Sequence, residues 1–300
     1  MKQRDFRDVL NNLRVEIDNI LTQEIRKLDF SDTTKRAIER AVAVGGRRIR
    51  AIMTYVISRI LGISKKDAIR LACCVEFSHA FTLVHDDIID KPSERRGNVP
   101  LFSEFGENLA LLIGDILFAM SFSYLKMEPF YFANYLQQVI EGQILDVLWL
   151  EGKIERSEDN IQKIQQLKTS SLFKISSILP VLYLSSSREG KKSKSTERIK
   201  KIWKSLELFG HHFGFAFQIL DDVKDVEEDR TKGSPNIVDF LDLDKAMELF
   251  YKHKNLAIHY LDEFIASIKT RTFFCELLKY LCIEVLNEKD IQASVAYKGN

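Results

Sequence analysis

Hydrophobic side chains recur at helical spacing along almost all of this 300-residue sequence, and its 13 glycines and 5 prolines interrupt them rarely. A chain so poor in breakers, with that spacing, favours helices over strands. Leu10, Leu13, Ile17, Ile20 and Leu21 form the apolar stripe of a first helix, and Ser31-Asp32 has the form of an N-cap before a second. Gly45-Gly46 breaks the pattern ahead of a helix over 47–61, and Ser64 caps another that runs to about Asp90. Further helices are expected at about 104–126, 130–150, 158–184, 196–226, 242–267 and 272–287. Polar loops separate them at 91–100 and 227–240, with a solvated connection at 185–195. No composition break or short repeat divides the chain, so the expected fold is all-α and a single domain over 1–300.

Composition narrows the function. With 44 basic and 43 acidic residues the net charge is only +1, which argues against non-specific nucleic-acid binding and leaves anion recognition to local clusters. Cys73, Cys74, Cys275 and Cys282 form no CxxC pattern and read as buried reduced thiols. The charged start, MKQRDFRDVLNNLRVEID, is unlike a secretory signal. Charges interrupt the apolar stretches short of the ~20 residues of a membrane span. A cytoplasmic protein without a membrane span is expected.

Two clusters carry chemistry. Asp86-Asp87-Ile88-Ile89-Asp90 and Asp221-Asp222-Val223-Lys224-Asp225 are both DDxxD boxes, each preceded by an apolar run, FTLV and FAFQIL. On a helix the first and last aspartates of a box stand at i and i+4, on one face. Partly buried, two carboxylates ~5–6 Å apart repel by about 3 kcal/mol at an effective dielectric near 20. Divalent cations relieve that repulsion. All-oxygen sites offering one or two carboxylates per ion suit magnesium, with water and substrate phosphate completing the octahedron. Basic groups accompany the boxes: Gly45-Gly46-Arg47-Arg48-Ile49-Arg50, Glu94-Arg95-Arg96-Gly97 after the first box, Lys168-Thr169 within a helix, and Lys232-Gly233 in the loop after the second. Arginine forks grip phosphate oxygens bidentately, so the two kinds of cluster together suit a diphosphate.

In this order and spacing, GGRRIR, HAFTLVHDDIIDKPSERRG, GQILD, KTSSLF and FQILDDVKD resemble the motifs of the trans-prenyl diphosphate synthases, from about Gly45 to Asp239. The family includes farnesyl and geranylgeranyl diphosphate synthases. The resemblance implies a helical bundle around a deep central cavity, the isoprenoid synthase fold, in a homodimer. It implies that Asp86, Asp87, Asp90, Asp221, Asp222 and Asp225 hold magnesium, three ions with substrate bound and manganese able to substitute. Arg95, Lys168, Thr169 and Lys232 would contact the allylic diphosphate, and Arg47, Arg50, His79 and Arg96 the diphosphate of isopentenyl diphosphate. Gln143, Asp146 and Gln218 would line the reaction chamber. Asp86, Asp90, Asp221 and Lys168 would be the catalytic set. The chain departs from the pattern at Arg47, where Lys is usual, at Ala51, where Pro is usual, and in TKGSPNIVD, shorter than the usual GKxxGxD stretch.

The chemistry so implied needs no protein nucleophile. Diphosphate departs, the double bond of isopentenyl diphosphate attacks the allylic cation, and the released diphosphate accepts the proton. Below the first box, Phe81 stands five residues before Asp86, roughly 7.5 Å down the helix, with the small Ser78 and Thr82 beside it. A large aromatic there stops chain growth in this family, so a fifteen- or twenty-carbon product is expected. The alternatives are a longer-chain synthase, a non-catalytic subunit of a heteromeric synthase, a terpene cyclase or head-to-head synthase, and a purely structural helical protein. A cyclase would lack the GGRRIR and ERRG elements, a non-catalytic subunit would lose Asp or Arg positions, and a structural protein would leave the paired boxes unexplained.

Overall fold

The computed structural model describes residues 3–43, 46–94, 97–125, 127, 129–186, 194–268 and 272–287. Among these residues there are helices and turns and no strand, as the periodicity requires. Contacts group the chain into two compact units, Met1–Pro129 and Phe130–Asn300.

The first unit holds α1 (Gln3–Arg26), α2 (Asp32–Ala43), α3 (Ile49–Ile60), α4 (Lys65–Asp90), α5 (Leu101–Phe105) and α6 (Glu107–Leu125). The stripe of α1 is buried at Leu10, Leu13, Ile17, Leu21 and Ile25. Ser31 caps α2, its hydroxyl accepting from Thr34 N at 3.2 Å. Ser64 caps α4, accepting from Asp67 N at 3.1 Å. α4 is the central helix, packed on α3 and α6. It is apolar nearly all round through Leu71-Ala-Cys-Cys-Val-Glu-Phe77, as a helix enclosed on every side must be. It meets α6 at Gly114, where an added Cβ would lie 2.1 Å from His85 Nε2 and the imidazole would have to move. By length and composition α6 is long and apolar enough to cross a membrane, although 39% of that stretch is buried within the fold. Asp115 interrupts that apolar stretch, as the charge pattern of the sequence leads one to expect.

The second unit holds α7 (Phe130–Leu150), α8 (Glu158–Gln165), a π-helical turn (Gln166–Ser170), α9 (Ser171–Ser186), α10 (Lys194–Lys232), a 3-10 turn (Ile237–Asp239), α11 (Leu243–Ser267) and α12 (Phe273–Val285). α10 packs against α9 and α11. Its glycines admit α9 and the π turn closely: a Cβ at Gly210 would meet Phe173 O at 2.7 Å and one at Gly214 would meet Ser170 Cα at 2.8 Å. Phe173 and Phe213 fill the seam edge to face, centroids 5.1 Å apart. All four cysteines are buried free thiols, and burial pushes the Cys73 thiol up to about 12.

Two expectations change. The stretch 158–184 is not one α-helix, because a π turn interrupts it at 166–170. The second polar loop does not begin at residue 227, because α10 continues to Lys232. The charges EEDRTK read as a loop by composition. They support helix instead, through Arg230–Glu227 at i,i+3 and Lys232–Glu228 at i,i+4. Gly233 ends the helix at φ 71°, and Ser234 N reaches back to Asp229 O at 3.0 Å.

Where α10 meets α11, three imidazoles crowd together. His212 Nδ1 and His253 Nδ1 are 3.1 Å apart, and His211 packs on the His212 ring at 4.8 Å. Burial, then His212 and Lys174, holds His211 down at about 4. Burial, then His212, His211 and Lys252, holds His253 at about 3. In the unfolded chain these groups accept protons near pH 6.5, so below that pH the unfolded state binds more of them and stability falls. On acidification from pH 7 to 5, the melting temperature of the wild type should fall further than that of His253→Asn. Other titrating groups cancel in that difference, and parallel curves would show that the cluster carries no pH dependence.

Candidate active site

The first box closes α4. Asp86 is half-buried, Asp90 is exposed, and Asp87, rotated about 100° from Asp86, is buried. Asp87 lines a narrow cleft with Arg40, Val84, Val99, Pro100 and Leu101. Lys91, at φ 45°, ends the helix, its N–H donating to Asp87 O at 3.0 Å. Arg50 and His79 come together at the start of α3, Arg50 Nη1 lying 3.4 Å from His79 Nε2. Arg47 is exposed beside them in sequence. Arg95 and Arg96 lie outside the described residues. One turn and more below the box, Phe81 is 4% exposed and meets Phe118 of α6 edge-on, centroids 5.2 Å apart. Ser78 and Thr82 turn their hydroxyls back to Cys74 O and His79 O. They therefore present little bulk beside that ring.

The second box lies within α10, two turns short of its end. Asp221 is half-buried and Asp225 exposed, whereas Asp222 is 2% exposed. Asp222 is met by donors from three places: Gln218 Nε2 at 2.7 Å on Oδ1, and Gln165 Nε2 at 2.6 Å and Ile237 N at 2.9 Å on Oδ2. Burial still raises its carboxyl to about 8 against those hydrogen bonds. Asn236, which the sequence reading passed over, is 1% exposed and bridges the turn to the helix. Its Nδ2 donates to Asp222 O at 2.8 Å and Asp229 Oδ2 at 2.7 Å, and its Oδ1 accepts from Val238 N at 2.9 Å. No motif in the sequence marks Asn236; its one signal is a place between Pro235 and an apolar Ile-Val pair.

The π turn delivers two more candidates. Lys168 Nζ donates to Asp146 Oδ2 on α7 at 2.6 Å, and Thr169 Oγ1 donates to Gln218 Oε1 on α10 at 2.6 Å. α7 reaches the turn because residue 142 is glycine: a Cβ there would lie 2.3 Å from Lys168 N. Beside it, both amide atoms of Gln143 and Asp146 Oδ1 are buried without a hydrogen-bond partner. Such atoms are costly unless a ligand or water meets them. Lys232 does not join this group in sequence or by contact. It is exposed near the end of α10, paired with Glu228 at 2.5 Å, and seven residues beyond Asp225, about 10 Å along the axis.

Among the described residues, no group of three or more His, Cys, Asp or Glu side chains is gathered to hold a metal ion. In each box the first and last aspartates, i and i+4, supply at most two carboxylates. That donor set fits magnesium, which binds one or two carboxylates and takes its remaining ligands from water and phosphate.

Residues 31–254 match the sequence profile of the Polyprenyl synthetase family, so the chain belongs to the polyprenyl synthetases. It is 30% identical over 223 residues to the geranylgeranyl pyrophosphate synthase of Geoglobus acetivorans, an alignment covering 71% of this chain and 66% of that protein. It is 28% identical to the geranylgeranyl diphosphate synthase of Saccharolobus solfataricus, over 73% of this chain and 64% of that one. The aligned part thus spans just under two thirds of these relatives. Against the farnesyl diphosphate synthase of Bacillus subtilis the identity is 27%, over 72% and 74%. The fold matches the geranyltranstransferase structure from Thermotoga maritima at a TM-score of 0.74, covering 95% of this chain and 99% of that one at 23% identity.

Asn236→Ala should lower stability by about 1–3 kcal/mol, because it strands buried partners on the helix and the turn. A thermal melt should show a drop of several degrees. An unchanged midpoint would mean that Asn236 does not hold the turn to α10.

Proposed function

We propose that this chain is a magnesium-dependent prenyltransferase that condenses isopentenyl diphosphate with dimethylallyl, geranyl or farnesyl diphosphate. The observation that carries the reading is the shared build of the two boxes. Each sets an i,i+4 aspartate pair on the more exposed side of its helix and buries the middle aspartate. Asp86 and Asp90, Asp221 and Asp225 would hold magnesium. When bound, it neutralises diphosphate charge as the allylic bond breaks.

The remaining work falls to the chain's own groups. Lys168 presents its ammonium to the leaving diphosphate, oriented by Asp146. Thr169 and Gln218, joined to Asp222, form a fixed line of dipoles from the π turn onto α10 that needs no reorganisation as positive charge develops on the substrate. Gln143 offers an amide with both ends unmet. Arg47, Arg50 and His79 would take the diphosphate of isopentenyl diphosphate, and Arg95 and Arg96 would extend these phosphate contacts. Asp87 and Asp222 would frame the boxes from the buried side. Lys232, held by Glu228, would reach the allylic diphosphate only by leaving that pair.

Two finer points belong to this reading. The product is farnesyl or geranylgeranyl diphosphate, because Phe81 is backed by Phe118 and cannot swing aside without breaking an edge-to-face contact. The enzyme is a homodimer. Exposed apolar side chains on α6 (Leu111, Leu112, Phe118) are ones a subunit partner would cover, and α7 of the other unit exposes its own (Tyr131, Ile140, Ile144).

Excess chelator should abolish turnover, and magnesium or manganese should restore it. Asp86→Ala and Asp221→Ala should each cost about a hundredfold or more in kcat while leaving the melting curve in place. Rates near wild type would remove the metal role of the boxes. Phe81→Ala should lengthen the product by at least one five-carbon unit, since each added methylene finds about 0.8 kcal/mol of burial in the opened space. Chromatography of products from labelled isopentenyl diphosphate reads this directly. An active variant with unchanged product length would move the floor to another side chain, with Phe118 the next to substitute.

A further inference from the structure

Three arginines stand within four residues at the start of α3, and one of them behaves unlike the others. Arg47 is exposed and Arg50 half-buried, but Arg48 is 5% exposed. It adopts φ 52°, ψ 30° as the residue that caps α3, a left-handed conformation uncommon outside glycine. All three arms of its guanidinium are engaged. Nε donates to Asp18 Oδ1 of α1 at 2.7 Å, Nη1 to Glu76 Oε1 of α4 at 2.5 Å, and Nη2 to Val42 O near the end of α2 at 2.6 Å. One side chain therefore ties the first turn of α3 to three other helices.

Glu76, its partner on α4, is 1% exposed and stands three residues before His79, which faces Arg50 at 3.4 Å. Arg48 to Glu76 and Arg50 to His79 are thus successive rungs between the same two helices. A shift of α3 along α4 that broke the first rung would displace the second by a similar distance. The planar fork of Arg48 fixes direction as well as distance, which a lysine or an apolar contact cannot do.

We propose that Arg48, clamped by Glu76, Asp18 and the Val42 carbonyl, is a positioning residue that sets the register of α3 on α4 and so aims Arg47 and Arg50 at a diphosphate. The inference rests on the reading above that Arg47, Arg50 and His79 bind isopentenyl diphosphate. Arg48 itself touches no substrate.

The test is the double variant Arg48→Met/Glu76→Leu, which replaces the buried ion pair by apolar groups of similar size and leaves no buried charge stranded, because Asp18 stays open to water. With the melting temperature near wild type, KM for isopentenyl diphosphate should rise about ten- to a hundredfold, with KM for the allylic diphosphate within about twofold of wild type. Glu76→Gln, which keeps shape and one acceptor, should move the same constant less and in the same direction, and it serves as the readout if the double variant does not fold. Arg50→Lys separates the two ideas. If it leaves KM for isopentenyl diphosphate unchanged, the assignment of that site fails. If it raises that constant but the folded Arg48 and Glu76 variants do not, the positioning role is overturned and the assignment survives. Equal losses for both substrates would make Arg48 a merely structural arginine and overturn the proposal as well.

Discussion

A carboxyl group removed from water must be met by hydrogen-bond partners, and Asp222 shows how much of the second unit is organised by that requirement. Its donors come from α8, from α10 itself and from the backbone of the turn at Ile237. Gln218, one of those donors, accepts in turn from Thr169. The buried acid thus joins the turn beyond α10, the body of α10 and the π segment into one connected set of hydrogen bonds. Replacing its acceptors would leave several amide groups facing apolar surroundings together, and for that reason the geometry at Asp221 and Asp225 is held from behind.

The π turn supplies the other half of the arrangement. A widened turn places one extra residue in the helix and changes the direction of the side chains that follow. Here consecutive residues serve different helices: Lys168 reaches Asp146 on α7, and Thr169 reaches Gln218 on α10. A regular α-helix separates neighbours by about 100° as well, but the wider backbone brings the turn against Gly142, where no side chain would fit. The absence of a Cβ on α7 and the bulge opposite it are therefore one feature. Together they put an ammonium, a carboxylate and the amide of Gln143 on neighbouring surfaces of the unit.

What the sequence made legible follows the range of the interactions. Capping by Ser31 and Ser64, the end of α4 at Asp90 and the extent of α7 depend on neighbours a few residues apart, and all were readable. So were the two boxes as helical i,i+4 pairs. The last two turns of α10 were missed because a run of alternating charge satisfies a loop and a salt-bridged helix equally well by composition. Its decisive feature, the Gly233 cap with Ser234 bonded to Asp229, is geometric. The π turn was invisible for a related reason: one inserted residue hardly disturbs apolar periodicity across 158–184. Asn236 was missed because its partners are a main-chain oxygen and an acid 14 and 7 residues away, and no spacing rule connects them.

The arginines of GGRRIR mark the sharper limit. By type they are identical, and phosphate recognition by planar forks argues equally for each. The resemblance singles out Arg47 and Arg50, and the physical reason that Arg48 differs lies where the chain enters α3, since its left-handed backbone turns its side chain away from those on either side. One signal was present all the same. Glu76 is the single charge within the run LACCVEFSHAF, and a lone acid in an enclosed helix demands a cation from elsewhere in the fold. Counting the apolar neighbours of Glu76 predicts that some arginine or lysine must be withdrawn from solvent to meet it. The structure identifies that residue as Arg48. Arg47 and Arg50 stay less enclosed, the one exposed and the other half-buried.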